Sequence, residues 1–174
     1  MPTGILAVET IALIKKFQPK SILEIGPGFG KYGMLCREYL ELWGHRRYHR
    51  DEWKVKIDAV EVFPNYITPI HQYVYDNIYI GDVKNNLDII PNYELLLICG
   101  TIEHLEKEMG REILRRARNY IATTPNDDCP QKESYGNPHE KHISRWYPAD
   151  FRDHQLITTA LENREIILGY KLSR

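Results

Sequence analysis

Apolar positions along this chain follow two alternating periods. Between residues 4 and 18, Ile5, Val8, Ile11 and Ile14 fall at helical spacing, and Pro19 closes the predicted helix. Ser21–Ile25 (SILEI) reads as a short buried strand, 26–30 as a glycine-rich turn, and 31–43 as the helix that follows it. Residues 44–54 form a polar, basic connection. Alternation at Val55, Ile57 and Ala59 predicts a strand over 54–62. Pro64 then opens a predicted helix over 65–75, and 78–80 is a third short strand ending at Gly81-Asp82. Residues 94–99 (ELLLIC) are apolar almost throughout, as suits a central strand. A helix is predicted over 109–118 and a fifth strand over 120–124. The tail holds two β-like runs, 155–161 and 165–172, separated by Glu162-Asn163-Arg164, which reads as an antiparallel hairpin.

Strands alternating with helices imply an α/β fold with right-handed crossovers and a parallel sheet. The length, 174 residues, fits one domain with a sizeable core. Residues 125–147 are the one long irregular segment, and segments of that length in compact domains are usually functional or disordered. Charge narrows the partners. With 23 basic against 24 acidic residues the chain has no global pull toward nucleic acid or anionic membrane. Three widely separated cysteines, Cys36, Cys99 and Cys129, form no CxxC pair, so a disulfide framework or structural zinc is not expected and a reducing, cytoplasmic setting is. Glu9 interrupts the first apolar stretch and no basic segment precedes it, which argues against a signal peptide.

The chemistry concentrates at Glu24-x-Gly26-Pro27-Gly28-x-Gly30, directly after a predicted strand. Three readings of such a turn compete. A phosphate-cradling P-loop needs a hydroxyl after its lysine, where this chain has Tyr32 after Lys31, and the glycine spacing is one residue short. A dinucleotide fingerprint needs a third glycine where Lys31 stands, and an acidic residue about 20 positions on, whereas Glu61 lies 35 residues after Gly26. The third reading accounts for Glu24. An acid inside the first strand sits near a ligand's positive charge, Glu61 at the end of the second strand can accept both ribose hydroxyls, and Asp82 after the third can read an adenine amino group.

Ile22 to Gly30 (ILEIGPGFG) resembles motif I of the class I S-adenosylmethionine-dependent methyltransferases. Val60-Glu61 resembles their ribose-binding acidic motif and Gly81-Asp82-Val83 their adenine-side motif. Residues 93–105 (YELLLICGTIEHL) are similar to the fourth strand and Glu-His-Leu turn of one large branch, and 122–126 (ATTPN) to its fifth strand. The resemblance covers roughly 20–147. It implies a Rossmann-like three-layer α/β/α sandwich over 1–174, with a seven-stranded sheet of order 3-2-1-4-5-7-6 and the last strand antiparallel. It also implies S-adenosylmethionine as cofactor, bound by Glu24, Gly26, Pro27, Gly28, Gly30, Tyr32, Glu61, Val62, Asp82, Val83, Cys99 and Gly100.

Methyl transfer needs proximity and in-line orientation, and an oxygen acceptor also needs a base. His104, His139 and His142 are the candidates, with His142 leading because histidine titrates near neutrality. In some relatives an acid three positions before the Glu of Glu-His-Leu helps to hold a metal. That position is Gly100 here, so no metal is expected. The run 136–146 (GNPHEKHISRW) resembles a loop of bacterial methyltransferases of the same branch, and the whole loop from Pro125 to Tyr147 is expected to be an acceptor-side lid that orders when cofactor or acceptor binds, with Trp146 offering a flat face to a ring or pinning the loop to the core. DNA amino-methylating and cytosine-methylating signatures are absent, and the basic run 45–50 (HRRYHR) reads as a solvated loop. The expected acceptor is a small-molecule or glycan hydroxyl or amine. The competing class is a non-catalytic cofactor-binding or partner-binding module on the same fold, and oligomeric state is left open.

Overall fold

The computed structural model describes residues 6–126, 131–158 and 165–173. Seven strands form one sheet: β1 (Ser21–Ile25), β2 (Lys56–Glu61), β3 (Asn77–Ile80), β4 (Leu95–Cys99), β5 (Tyr120–Pro125), β6 (Asp153–Thr158) and β7 (Glu165–Lys171). Their order is β3-β2-β1-β4-β5-β7-β6. The first five pair in parallel, and β7 runs antiparallel to both β5 and β6. This is the expected architecture.

Strand alternation sorts the side chains into two apolar layers. Ile22, Leu95, Leu97, Ile121, Ile166 and Leu168 face the layer built on α1 (Ala7–Phe17), α2 (Lys31–Arg37) and α4 (Pro69–Val74). Leu23, Ile25, Leu96, Ile98, Ala122 and Ile167 face the opposite layer, where α5 (Lys107–Arg116) and Trp146 pack. β4 is buried at every position, as its apolar run foretells.

Local chemistry changed several elements. In α1 the buried face is Leu6, Thr10, Ile11 and Ile14, while Val8 is 77% exposed, because Thr10 and not Val8 shares the arc of Ile14. The predicted helix over 65–75 is broken: a 3-10 turn at Pro64–Tyr66 gives way to extended backbone, and α4 starts afresh at Pro69. Proline disfavours helical backbone at the residue before it, and Thr68 is held extended as the cap. The helix after the glycine turn is interrupted by a π-helical stretch, Glu38–Leu42, before α3 (Trp43–His45). Short 3-10 turns occupy Val83–Asn92, where no element was predicted. Ile5, Cys129 and the 162–164 connection lie outside the described residues. Among the described residues no helix is long and apolar enough to cross a membrane.

Candidate active site

The carboxyl ends of β1 to β5 open into a cavity of about 520 Å³. Its floor is the glycine turn. Gly26 has φ +68°, and a side chain there would overlap Thr101, whose hydroxyl donates to the Gly26 carbonyl at 3.3 Å. The Gly28 carbonyl accepts from Nε2 of His71 at 2.8 Å. The Thr68 backbone N–H donates to Nδ1 of the same ring at 3.1 Å, so the proton of the neutral imidazole sits on Nε2. His71 is fully buried at the second position after Pro69, so α4 fixes the turn from 43 residues away.

Three carboxylates line the cavity at successive strands. Glu24 is almost fully buried and accepts from the Tyr75 hydroxyl at 2.7 Å. Burial pushes its carboxyl up to about 7, against the lowering effects of Tyr75, the Gly33 N–H and Lys31. Glu61 is also buried, which raises its carboxyl above the usual range, and its Oε1 accepts from the Phe63 N–H at 2.8 Å. Asp82 is more open: it caps the turn through the Lys84 N–H at 2.9 Å and pairs with the Lys84 ammonium at 3.2 Å. Pro27, Gly28, Tyr32, Val62, Val83, Cys99 and Gly100 also line the space. Gly30 does not; it sits at φ +80° as the left-handed cap of α2, against His71 and Ile70.

At the far end, the turn Ile102–His104 after β4 meets the segment from 131 onward. Glu103, His104 and His142 each offer a ligand atom, all within 4.8 Å of one another. The two imidazoles lie edge to face at 4.8 Å. The Lys141 carbonyl can only accept, so His104 donates to it from Nδ1 at 3.1 Å, which leaves the lone pair of the neutral ring on Nε2. Glu103 is buried, its carboxyl is raised by that burial, and its Oε2 has no hydrogen-bond partner. The expectation of no metal rests on local sequence, Gly100 and the lack of an Asp after the fourth strand; the structure brings His142, 38 positions beyond His104, to the Glu103-His104 pair. His139 lines the cavity but stands outside this trio.

Residues 131–147, within the segment where the sequence predicts a lid, are tied to the cavity wall. The N–H groups of Ile143 and Ser144 donate to the Glu103 carbonyl at 2.9 and 3.1 Å, His142 N–H donates to Gln131, and the Tyr66 hydroxyl donates to Glu140 at 2.9 Å. Trp146 is fully buried. It fills the space above Gly110, meets the Phe151 ring at 5.6 Å with a tilt of 35° and donates from Nε1 to the Ile102 carbonyl at 3.2 Å. Of its two expected roles it takes the anchoring one.

Solved structures with this arrangement carry the comparison. A SAM-dependent methyltransferase from Archaeoglobus fulgidus superposes with a TM-score of 0.62 over 97% of this chain and 94% of its own, at 16% identity. The N-terminal domain of EvdMO1, solved with S-adenosylhomocysteine bound, gives 0.61 over 97% and 81%, at 13% identity. PigF, also solved with S-adenosylhomocysteine, gives 0.53 over 97% and 56%, at 17% identity. The fold is that of the class I methyltransferases. This chain spans just over half the length of PigF, and 57% of a similar structure from Nostoc punctiforme PCC 73102. No family model and no curated protein matches the sequence.

Among the cavity liners to which sequence reasoning gave no site role are Lys31, Tyr66, Thr101 and Glu140. Lys31 stands beside the turn and enters the sequence reading as the lysine of a P-loop and as the residue in place of a dinucleotide fingerprint's third glycine. Thr101 sits inside the quoted motif without a role in that reading. Tyr66 and Glu140 had no local signal, since they meet only through tertiary structure.

Proposed function

We propose that this chain is an S-adenosylmethionine-dependent methyltransferase acting on a hydroxyl or amine of a small molecule or glycan. The carrying observation is the single cavity that runs from Asp82 and Glu61, past the glycine turn, to Glu103, His104 and His142. One end offers carboxylates to a nucleoside. The other offers imidazoles and a buried acid to an acceptor.

Bound S-adenosylmethionine supplies an electrophilic methyl group on a cationic sulfur. The residues fit it: Glu61 keeps acceptor capacity for ribose hydroxyls beyond its Phe63 bond, Asp82 lies one strand further toward the base, and Val62 and Val83 give apolar edges. Cys99 and Gly100 flank the passage toward the acceptor end. That EvdMO1 was crystallised with S-adenosylhomocysteine and D-fucose supports a sugar-like acceptor.

At the acceptor end we favour a divalent cation over a free general base, because the buried Glu103 Oε2 lacks any hydrogen-bond partner. Such an oxygen is costly unless something cationic meets it. A cation held by Glu103, His104 and His142 would lower the pKa of an acceptor hydroxyl and orient it. The chain's part is to hold His104 in the right tautomer through Lys141 and to place His142 through the bonds of Ile143 and Ser144.

Calorimetry with S-adenosylhomocysteine tests the cofactor. Micromolar binding is expected, falling about 10- to 100-fold in Glu61→Ala. Tighter binding of NAD than of S-adenosylhomocysteine would sink the assignment. Tight cofactor binding with no turnover on any sugar or phenol panel would favour the non-catalytic module.

A further inference from the structure

The run 45–50 (HRRYHR), which the sequence presents as a solvated loop, is fastened from within. Glu41 is fully buried beneath it. Its Oε1 accepts from the Lys54 and Val55 N–H groups at 2.8 and 2.7 Å, and its Oε2 pairs with Arg47 at 2.9 Å. Trp53 donates from Nε1 to the Arg47 carbonyl at 3.2 Å, and its ring lies 4.5 Å from the Arg37 guanidinium. Arg50 donates to the Tyr75 carbonyl at 3.1 Å, and the His49 N–H to the Glu52 carboxylate at 3.0 Å. A buried carboxylate is a costly anchor for a loop that only connects two elements.

What this frame holds outward is aromatic and basic. Trp43 is 73% exposed and Tyr48 is 61% exposed, although large rings are ordinarily covered. A bond from the Trp43 Nε1 to Glu38 at 3.0 Å sets the indole by its edge. His45, Arg46, His49 and Lys54 are exposed beside the rings in the chain, and the Arg46 and Lys54 side chains make no ion pair among the described residues. Residues 43–56 hold five lysines and arginines against two acids.

The patch lies away from the cavity. α2 leaves the glycine turn at Lys31 and carries the chain back to the amino edge of the sheet, where the Lys56 N–H donates to the Lys20 carbonyl. None of residues 33–59 lines the cavity. The described cavity liners include more carboxylates than lysines, and the opposite edge carries the basic loop, so a chain with a net charge of only -1 is locally polarised.

We infer that the surface built on Trp43, Arg46, Tyr48 and Lys54 docks single-stranded nucleic acid. Its cations neutralise phosphates, and its two open rings stack on unpaired bases of any sequence. Rings interleaved with cations suit that polymer better than a bilayer, which favours a continuous apolar face, and better than an acidic peptide, which leaves the rings unused. Bound at the edge opposite the cavity, the strand is a tether and not the methyl acceptor.

Fluorescence anisotropy of the full chain with a labelled oligouridylate of about 20 nucleotides tests this. Micromolar binding is expected at about 50 mM salt, with log K falling against log salt at a slope of about −2, as about three neutralised phosphates give on a single strand. Trp43→Ala with Tyr48→Ala should weaken binding about 10- to 100-fold and leave the slope unchanged. Tyr48→Phe should retain the affinity. Arg46→Gln with Lys54→Gln should weaken binding and flatten the slope by about 1.4. All four side chains are exposed, so an unchanged Tm shows that each variant is folded. Absence of binding, or affinity untouched by loss of both rings, overturns the inference. So does tighter binding to phosphatidylserine vesicles, or equal affinity for polyglutamate of matched length. Displacement of the oligonucleotide by S-adenosylhomocysteine would put the strand in the cavity and overturn the docking role.

Discussion

His71 holds the carbonyl of Gly28 at 2.8 Å from a fully buried ring whose other nitrogen is occupied by the Thr68 N–H. The glycine turn is therefore not shaped by its glycines alone. A helix starting at Pro69 reaches under the turn and fixes where one of its carbonyls points.

His71→Phe keeps a planar ring but strands that carbonyl and the Thr68 N–H. Each unsatisfied buried group costs about 1–3 kcal/mol. A chain of this size loses roughly 2–4 °C in Tm per kcal/mol, so a fall of about 5–15 °C is expected in thermal unfolding. Affinity for S-adenosylhomocysteine should fall with it. An unchanged Tm would show that the bond carries no weight.

Glu24 makes stability depend on pH. Its carboxyl is raised from 4.5 to about 7 in the folded chain, so between those values the folded state holds the extra proton. Stability is then greatest below pH 4.5 as far as this group is concerned, and is lost as pH rises toward 7 and beyond. Glu24→Gln removes that loss. At pH 8 the variant should be more stable than wild type, by on the order of 2–3 kcal/mol, with the difference shrinking toward pH 5. Thermal melts from pH 5 to 9 check this, and parallel curves for the two proteins would refute it. A cationic ligand near Glu24 favours its ionised form, so cofactor binding should also weaken below pH 7.

Divalent cation should be required once an acceptor is found. Turnover is expected to fall about 10²-fold or more on chelation and to return with manganese or magnesium. Glu103→Gln should bind manganese far more weakly, as read by the spin-resonance signal of the free ion. Full turnover in chelator would return His142 to the role of general base.

Trp146 and His142 separate anchoring from chemistry. Trp146→Ala should cost about 3–5 kcal/mol through the cavity it leaves over Gly110. His142→Ala should leave Tm within a few degrees and remove activity. The reverse pattern, in which Trp146→Ala spares stability but abolishes turnover, would make the indole an acceptor platform after all.

The parts legible in the sequence were those written locally. The SILEI run, the glycine turn and the ELLLIC run state their elements through period and composition, and β1 matches its predicted bounds to the residue. Glu61 and Asp82 could be read because each ends or follows a strand. What stayed hidden depends on distance. Pro69 splits the helix predicted over 65–75, since a proline inside a helix lacks the N–H that would continue it. The Glu103, His104 and His142 cluster needs a 38-residue return of the chain. The Tyr66 and Glu140 contact has no periodic signature at all.

One ammonium joins the pieces of the acceptor wall. Lys107, the first residue of α5, bonds the Arg145 carbonyl at 2.7 Å and the Asp150 carboxylate at 2.6 Å, and lies 3.9 Å from the Trp146 ring centroid. These fastenings hold 145–150, next to the stretch 139–143 that faces the cavity and outside the cavity lining itself. Attachment and recognition are thus written in adjacent but separate letters. The side chains of His139 and Ile143 line the cavity and take no part in the Lys107 fastening, so those two positions can vary while the frame that carries them stays fixed.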